Sequence, residues 1–104
     1  MNKPISTFQE IYAFVSQVPP GKVTTYGQVA RKIGVNNPKV VGYALNSEAM
    51  PDYVPWHRVI NSKGTVSKRN LGNGELLQEK LLISEGIKFD KTKKIAMKDH
   101  LLDI

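Results

Sequence analysis

Two helix signals separated by one tight turn most strongly constrain the fold of this chain. Thr25 is a favourable N-cap for one helix, and Gly34 is a typical stop signal at its end. The start of a second helix follows directly, because Asn37 is a favoured N-cap and Pro38 suits the first helical position. This next helix is predicted to run to about Glu48. Two helices joined by a glycine-containing turn are the sequence form of a helix-turn-helix.

The helix that follows Pro38 has two chemically different faces when it is projected at 100° per residue. Its apolar face is formed by Val41, Ala44 and Leu45, with Val40 at the edge. Its opposite face is formed by Lys39, Gly42, Tyr43 and Asn46. A cation, two hydrogen-bonding side chains and a glycine that admits a close backbone suit contact with a DNA groove. An ordinary solvated face has the same pattern, so this face alone does not decide the function.

Two further helices are predicted outside the helix-turn-helix. Ser6 can cap a first helix with Gln9 completing a capping box, and the Pro-Pro-Gly run at 19–21 ends it. The buried stripes of the first two helices are expected to be Phe8, Ile11, Tyr12 and Val15, and Val29, Ala30 and Ile33. A fourth helix is predicted from Gly74 to Glu85, with Gly86 as its stop. Its inward residues are expected to be Leu76, Leu77, Leu81 and Leu82.

The segment between the third and fourth helices is predicted to form a small β element. Residues 56–60 are expected to be extended, residues 61–64 to turn, and residues 65–67 to return as the second strand of a hairpin or wing. The lysine-rich tail from Ile87 receives no secondary structure, although Phe89, Ile95 and Met97 are expected to anchor it. The prediction is one domain, residues 1–104, mainly α with a winged helix-turn-helix-like core.

Charge and cysteine content limit the classes of function. Fifteen Lys and Arg against nine Asp and Glu give a net charge of +6, which is compatible with a nucleic-acid partner and also with simple solubility. The absence of cysteine excludes disulfides and thiolate metal sites, and two histidines do not make a metal cluster. We therefore expect no metal, and we expect no cofactor. We also expect no membrane partner, since no apolar run could span a bilayer and no secretory signal is recognisable.

Four ordered segments carry a resemblance to a known family. They are residues 18–27 (VPPGKVTTYG), 41–42 (VG), 55–60 (PWHRVI) and 84–86 (SEG). Together they resemble the C-terminal domain of O6-alkylguanine-DNA alkyltransferases, whose active-site motif reads Pro-Cys-His-Arg-Val-Ile. The likeness extends from about Phe8 to Gly86. In those proteins the cysteine removes an alkyl group from guanine and keeps it, whereas here Trp56 occupies that position. The chain is therefore similar to the cysteine-less, tryptophan-bearing alkyltransferase-like subgroup.

The resemblance implies a non-catalytic sensor of DNA damage. Such a protein would bind O6-alkylguanine in duplex DNA by nucleotide flipping, with its third helix docked in the minor groove, and flag the lesion for nucleotide excision repair. An excision-repair damage-recognition protein would then be a partner. We expect a monomer in the cytoplasm, associated with the nucleoid if the chain is bacterial. The alternatives are a helix-turn-helix regulator without lesion specificity, or a weak dealkylating enzyme that uses His57 and Glu85.

The family pattern assigns base-binding roles to four residues. Tyr26 would press on the phosphate beside the target nucleotide and help to rotate it outward. Lys39 would enter the vacated space, although the family usually has an arginine there, whose planar guanidinium stacks better than an ammonium. Trp56 would form a wall of the lesion pocket, unless it fills and closes that pocket. Arg69 stands where transferases commonly have tyrosine, and it would lie over the purine or donate to O6.

The remaining assignments concern DNA contacts and support of the motif. Thr25, Gly42, Tyr43, Asn46, Lys63 and Lys68 are the candidate DNA-binding residues. His57 and Glu85 match the pair that activates the cysteine in the transferases. Without a thiol they are expected to persist as a structural polar pair, because an unsatisfied buried histidine would be costly. Arg58 is expected to make a structural hydrogen bond in the same loop.

Overall fold

A computed structural model describes residues 6–66 and 74–103, and those residues form five α-helices, one 3-10 turn and two short strands. In chain order the elements are α1 (Thr7–Val15), β1 (Thr24–Thr25), α2 (Tyr26–Ile33), α3 (Lys39–Leu45), the 3-10 turn (Trp56–Arg58), β2 (Val59–Ile60), α4 (Gly74–Ser84) and α5 (Met97–His100). The mainly helical class with a small β element is confirmed. In the described part of the chain no helix is long and apolar enough to cross a bilayer.

The first helix of the helix-turn-helix, α2, begins and ends where its sequence signals predict. The Thr25 hydroxyl accepts a hydrogen bond of 3.0 Å from the backbone N–H of Gln28, which caps α2. Gly34 ends α2 in the left-handed conformation, with a φ of 82°. The turn to α3 places Val29 and Ala30 of α2 in the core.

The third helix is shorter than predicted, since it ends at Leu45 and not near Glu48. Its N-cap is Pro38, although the Asn37 side chain still accepts a hydrogen bond of 3.0 Å from the Lys39 backbone N–H. The early end has a local cause. The Ser47 hydroxyl accepts a hydrogen bond from the Ala49 backbone N–H, and such side-chain bonds compete with helix continuation.

The first three helices pack around one hydrophobic centre, which we call the first core cluster. Its buried members are Ile11, Tyr12, Val15, Val29, Ala30, Val41, Ala44, Leu45, Val54 and Val59. The capping box at Ser6 and Gln9 is present and starts α1 as predicted. The Tyr12 hydroxyl donates a 2.8 Å hydrogen bond to the Ala44 carbonyl, so the only buried phenol of this cluster is satisfied within the described chain.

The strand pairing differs from the predicted hairpin. β1 and β2 are parallel neighbours, with Thr24 opposite Val59 and Thr25 opposite Ile60. After β2 the Asn61 side chain accepts hydrogen bonds from the backbone N–H groups of Lys63 and Thr65, which closes a compact turn. Thr65 and Val66 are in no strand, and Ser67 lies outside the described residues. The prediction of a return strand over 65–67 is therefore wrong for the two residues that the structure describes. β2 pairs instead with β1, the segment just before α2.

The fourth helix and the tail enclose a second core cluster, formed by Val23, Ile60, Leu82, Ile87 and Ile95. The prediction that four leucines face inward is wrong for two of them, since Leu76 is 46% exposed and Leu77 is 51% exposed. The inward line of α4 passes through Gln78 and Leu82, which are one turn apart. The predicted anchors of the tail are confirmed, since Ile95 is buried and Phe89 and Met97 pack against this cluster.

Candidate functional site

The 3-10 turn presents Trp56 between the first core cluster and the second strand. The Trp56 backbone N–H donates to the Val54 carbonyl at 2.8 Å, and the Arg58 N–H donates to the Pro55 carbonyl at 3.0 Å. The indole is half-buried and packs against the first core cluster. The His57 ring meets it edge-on, with ring centroids 6.0 Å apart and an interplanar angle of 85°. Residues 56–60 therefore do not form the single extended segment that was predicted, because the strand begins only at Val59.

A three-residue polar network lies behind this turn. The Glu85 carboxylate accepts a hydrogen bond of 2.8 Å from His57 Nε2 and two hydrogen bonds, of 2.9 and 2.7 Å, from Arg58 Nε and Nη2. All three side chains are largely buried, with Glu85 16% exposed. The hydrogen bond from Arg58, together with that from His57, lowers the pKa of the Glu85 carboxyl against the opposing effect of burial. The network therefore contains an ionised carboxylate whose oxygens are both engaged.

This network fixes the orientation of the His57 ring and the position of its proton. Since the ionised Glu85 carboxylate can only accept, Nε2 of His57 carries the proton of this hydrogen bond. Arg58 also donates from Nη1 to the Val18 carbonyl at 2.8 Å, which ties the turn to the segment after α1. The bidentate pairing of Arg58 with Glu85 was missed by the sequence analysis. A fork-shaped donor next to His57 is the signal that could have indicated it.

Tyr26 and Thr25 lie where strand β1 becomes helix α2. Tyr26 is half-buried and packs on the same core cluster as Trp56. The Thr25 hydroxyl already accepts the capping hydrogen bond from Gln28, so a DNA contact would have to use its proton or its remaining lone pair. The fold thus attaches both aromatic side chains of the predicted base site to one rigid core.

The exposed face of α3 has the composition that the helical projection predicts. Val41, Ala44 and Leu45 are buried, whereas Tyr43 is 63% exposed and Lys39 and Asn46 are exposed. The Asn46 side-chain amide donates to the Gly42 carbonyl at 2.9 Å. No heavy atom lies within 4 Å of where a Cβ on Gly42 would be, beyond the helix's own nearby backbone. Glycine at this position therefore leaves open space on the outer face of the helix.

The structure locates one of the three basic residues predicted beyond the motif. Lys63 is exposed in the turn that closes on Asn61. Lys68 and Arg69 lie outside the described residues, so their roles stay predictions. Among the residues that the structure describes, no three His, Asp or Glu side chains are grouped so that they could hold a metal ion.

Three comparisons relate this geometry to known proteins. Residues 6–87 match the family model for the DNA-binding domain of 6-O-methylguanine DNA methyltransferase. Alkyltransferase-like protein 1 of Schizosaccharomyces pombe is 42% identical over 86 residues, covering 82% of this chain and 80% of that protein. A DNA base-flipping protein of Vibrio parahaemolyticus is 37% identical over 92 residues, covering 88% and 90%.

A solved structure is similar over nearly the whole chain. It is the crystal structure of S. pombe Atl1 in complex with damaged DNA containing O6-carboxymethylguanine. The TM-score is 0.84 at 36% identity, and the alignment covers 93% of this chain and 94% of that one. The similarity therefore includes both the helix-turn-helix and the turn that carries Trp56.

Proposed function

Because this chain belongs to the 6-O-methylguanine DNA methyltransferase DNA-binding family, we propose that it binds O6-alkylguanine in duplex DNA without removing the alkyl group. The nucleotide would be rotated out of the duplex to reach Trp56. A relative is named for base flipping, and another has been solved on DNA that contains an O6-modified guanine. The chain is close to both in length and in sequence, which supports the same activity here.

The observation that carries this proposal is Trp56 in a chain without cysteine. Alkyl transfer from O6 needs a nucleophile, and a thiolate is a strong one near neutral pH. An indole has no comparable lone pair. The oxygens of Glu85 are bonded to His57 and Arg58, so the pair supports the turn in a chain that has no thiol to activate. Binding without chemistry is the function that these residues support best.

Stacking on a single aromatic side chain can offset much of the free-energy cost of base extrusion. Flipping costs a few kcal/mol, and least for a mispaired or damaged base. Stacking on an aromatic side chain returns about 1–3 kcal/mol per base. Trp56 is well suited to this because its ring is fixed against the first core cluster and loses little further freedom on binding. In this scheme Tyr26 strains the backbone, Lys39 enters the gap, and Arg69 contacts the purine.

A lesion that is bound but not repaired has to be removed by another repair protein. We therefore include in the proposal an excision-repair damage-recognition protein that takes over the marked site. A protein without a nucleophile leaves the alkyl group on the base, and the choice of an excision-repair partner rests on the family resemblance.

A paired titration tests the binding step. Two duplexes of the same sequence, one with O6-methylguanine and one with guanine, are titrated with the wild type and with Trp56→Ala, and binding is followed by fluorescence anisotropy. We expect tighter binding of the damaged duplex by the wild type. In Trp56→Ala that preference should fall roughly fivefold to a hundredfold, the equivalent of about 1–3 kcal/mol, while binding of the intact duplex changes little. Equal loss on both duplexes would contradict the base-stacking role.

Mass spectrometry tests the absence of chemistry. After prolonged incubation with the damaged duplex, the protein mass and the amount of O6-methylguanine should both be unchanged. A gain of one alkyl mass by the protein would identify a transferase with an unexpected acceptor. Loss of the lesion without a change in protein mass would identify a hydrolase.

A further inference from the structure

A backbone carbonyl at the end of the 3-10 turn has no partner within the turn itself. The carbonyls of Pro55 and Trp56 accept from the N–H groups of Arg58 and Val59, as a 3-10 helix requires. The next carbonyl, that of His57, would need a donor from Ile60, but the chain has by then become strand β2. Terminal helix carbonyls need an outside donor or water when they are buried.

Gln78 of α4 supplies that donor. Its side-chain Nε2 donates to the His57 carbonyl at 3.1 Å and to the Val59 carbonyl at 2.9 Å. The orientation of the amide is fixed by chemistry, since two carbonyl oxygens can be bonded only by the NH₂ end. Both amide hydrogens are therefore committed to the backbone just after Trp56.

The surroundings of Gln78 show that this amide is not simply filling space. The side chain is 1% exposed, and its Oε1 has no hydrogen-bond partner among the described residues. Leaving a buried acceptor unpaired costs roughly 1–3 kcal/mol. A leucine or methionine would fill the same volume without that cost. The contribution of Gln78 to this part of the fold must therefore come from its nitrogen.

Glu85, the residue directly after α4, lies on the same side of the helix as Gln78. Gln78 and Glu85 are seven residues apart, which is two helical turns, so both face the 3-10 turn. Glu85 binds the side chains of His57 and Arg58, whereas Gln78 binds the backbone at His57 and Val59. The two residues together fix both the side chains and the main chain that immediately follow Trp56.

We propose that Gln78 is a positioning residue for base recognition, which fixes the turn so that the Trp56 indole is presented to the extruded base. This inference rests on the proposed function and adds a residue to it. Misplacement of an aromatic ring by about an ångström loses contact across its face, because dispersion falls steeply with distance. Loss of the two hydrogen bonds should therefore weaken recognition of the lesion more than attachment to the duplex.

The test is Gln78→Met, which keeps an unbranched side chain of similar length and removes both donors. Trp56 is the only tryptophan, so intrinsic fluorescence reports on its surroundings alone. We expect a shifted emission maximum, greater quenching by acrylamide, and a loss of about fivefold or more in the preference for O6-methylguanine over guanine duplex. Binding of the intact duplex should stay within twofold. Gln78→Asn, which is too short to reach both carbonyls, should show the same changes if the methionine variant does not fold.

Gln28→Met is the matched control. Gln28 is another buried glutamine; its Nε2 donates to the Leu102 carbonyl at 2.9 Å and its Oε1 accepts from the Thr24 hydroxyl, so it bonds to the tail and to β1 but to neither carbonyl that Gln78 binds. It should leave the Trp56 emission and the lesion preference unchanged, whatever it does to stability. Folded Gln78 variants with wild-type emission and preference would overturn the inference. If the wild type itself shows no preference, the proposed function fails, and the emission data still decide whether Gln78 positions Trp56.

Discussion

Glu85 is the residue on which the polar part of the site depends. Its carboxylate accepts three hydrogen bonds from His57 and Arg58, and the Arg58 guanidinium also donates to the Val18 carbonyl. Hydrogen bonds to a charged group contribute about 1.5–3 kcal/mol each when they are shielded from water. Removing the charge would leave the Arg58 guanidinium without its counterion. The orientation of the turn next to Trp56 is thus tied to the ionisation of one side chain.

Glu85→Gln should lower the free energy of unfolding at pH 7 by about 2–3 kcal/mol, because the amide offers Arg58 no charge and only one acceptor oxygen. The folded state lowers the pKa of Glu85, so the charge stabilises the fold above the unfolded pKa and ceases to do so as pH falls through the folded pKa. The difference between wild type and variant should therefore shrink between about pH 5 and pH 3. Urea denaturation across that range measures it.

Glu79→Gln is the control for this prediction. Glu79 lies 3.6 Å from Lys93, whose ammonium is mostly exposed, and such surface pairs contribute about 0–1 kcal/mol. Its loss should change stability little at any pH in the range. A Glu85→Gln difference that stays constant from pH 5 to pH 3 would show that the charge of Glu85 is not what stabilises the turn.

Among the elements, α3 has one buried face and one exposed face, and the exposed face is the one proposed to dock on DNA. Val41, Ala44 and Leu45 attach it to the first core cluster, and its outer face offers Lys39, Gly42, Tyr43 and Asn46. Nothing on the outer face contributes to the core. Stability and DNA binding should consequently respond to different substitutions on the same seven-residue helix.

Gly42→Ala separates stability from DNA binding. In the free protein it should raise the free energy of unfolding by about 0.5–1 kcal/mol, because alanine is the better helix former and its Cβ would enter open space. Duplex binding should weaken several-fold, since the added methyl group would stand on the face that is proposed to dock on the duplex. Thermal unfolding and anisotropy titration with an intact duplex measure the two effects.

Ser84→Ala is a suitable comparison for Gly42→Ala. It also raises helix propensity, and it removes only the hydrogen bond from the Ser84 hydroxyl to the Leu81 carbonyl in α4. Stability should change by a similarly small amount while duplex binding stays the same. If Gly42→Ala also left binding unchanged, the outer face of α3 would not be the docking face.

At the scale of the whole molecule, recognition is expected to combine a general and a specific term. The net charge of +6 favours any duplex, and an exposed lysine such as Lys63 is available for phosphates. The specific term is uncharged stacking on Trp56, which is fixed to the core. The first term depends on salt, and the second should not.

Raising the salt concentration should therefore weaken binding of both duplexes without changing the preference between them. With about four phosphate contacts, affinity for the undamaged duplex should fall roughly a hundredfold between 50 and 200 mM salt. Affinity for the O6-methylguanine duplex should fall in parallel, so that the preference between them stays within twofold. A preference that disappears at high salt would instead assign lesion recognition to a cation, with Lys39→Gln and Arg69→Gln as the variants that identify it.

The features that depend on local chemistry can be predicted from the order of residues alone. The caps at Ser6 and Thr25, the stop at Gly34 and the two faces of α3 follow from backbone hydrogen bonding and helical periodicity, which act over a few residues. The likeness of residues 55–60 to a family motif likewise needs only the order of side chains. The pairing of His57 with Glu85 was expected from that likeness, and they lie 2.8 Å apart.

The features that join distant segments could not be predicted in this way. The parallel pairing of β1 with β2, the exposure of Leu76 and Leu77, and the bonds of Arg58 and Gln78 depend on which surfaces meet after the chain has folded. A two-residue strand has no periodicity that could reveal its partner. An amphipathic pattern also cannot show that a glutamine, and not a leucine, faces a carbonyl that the neighbouring turn leaves without a donor.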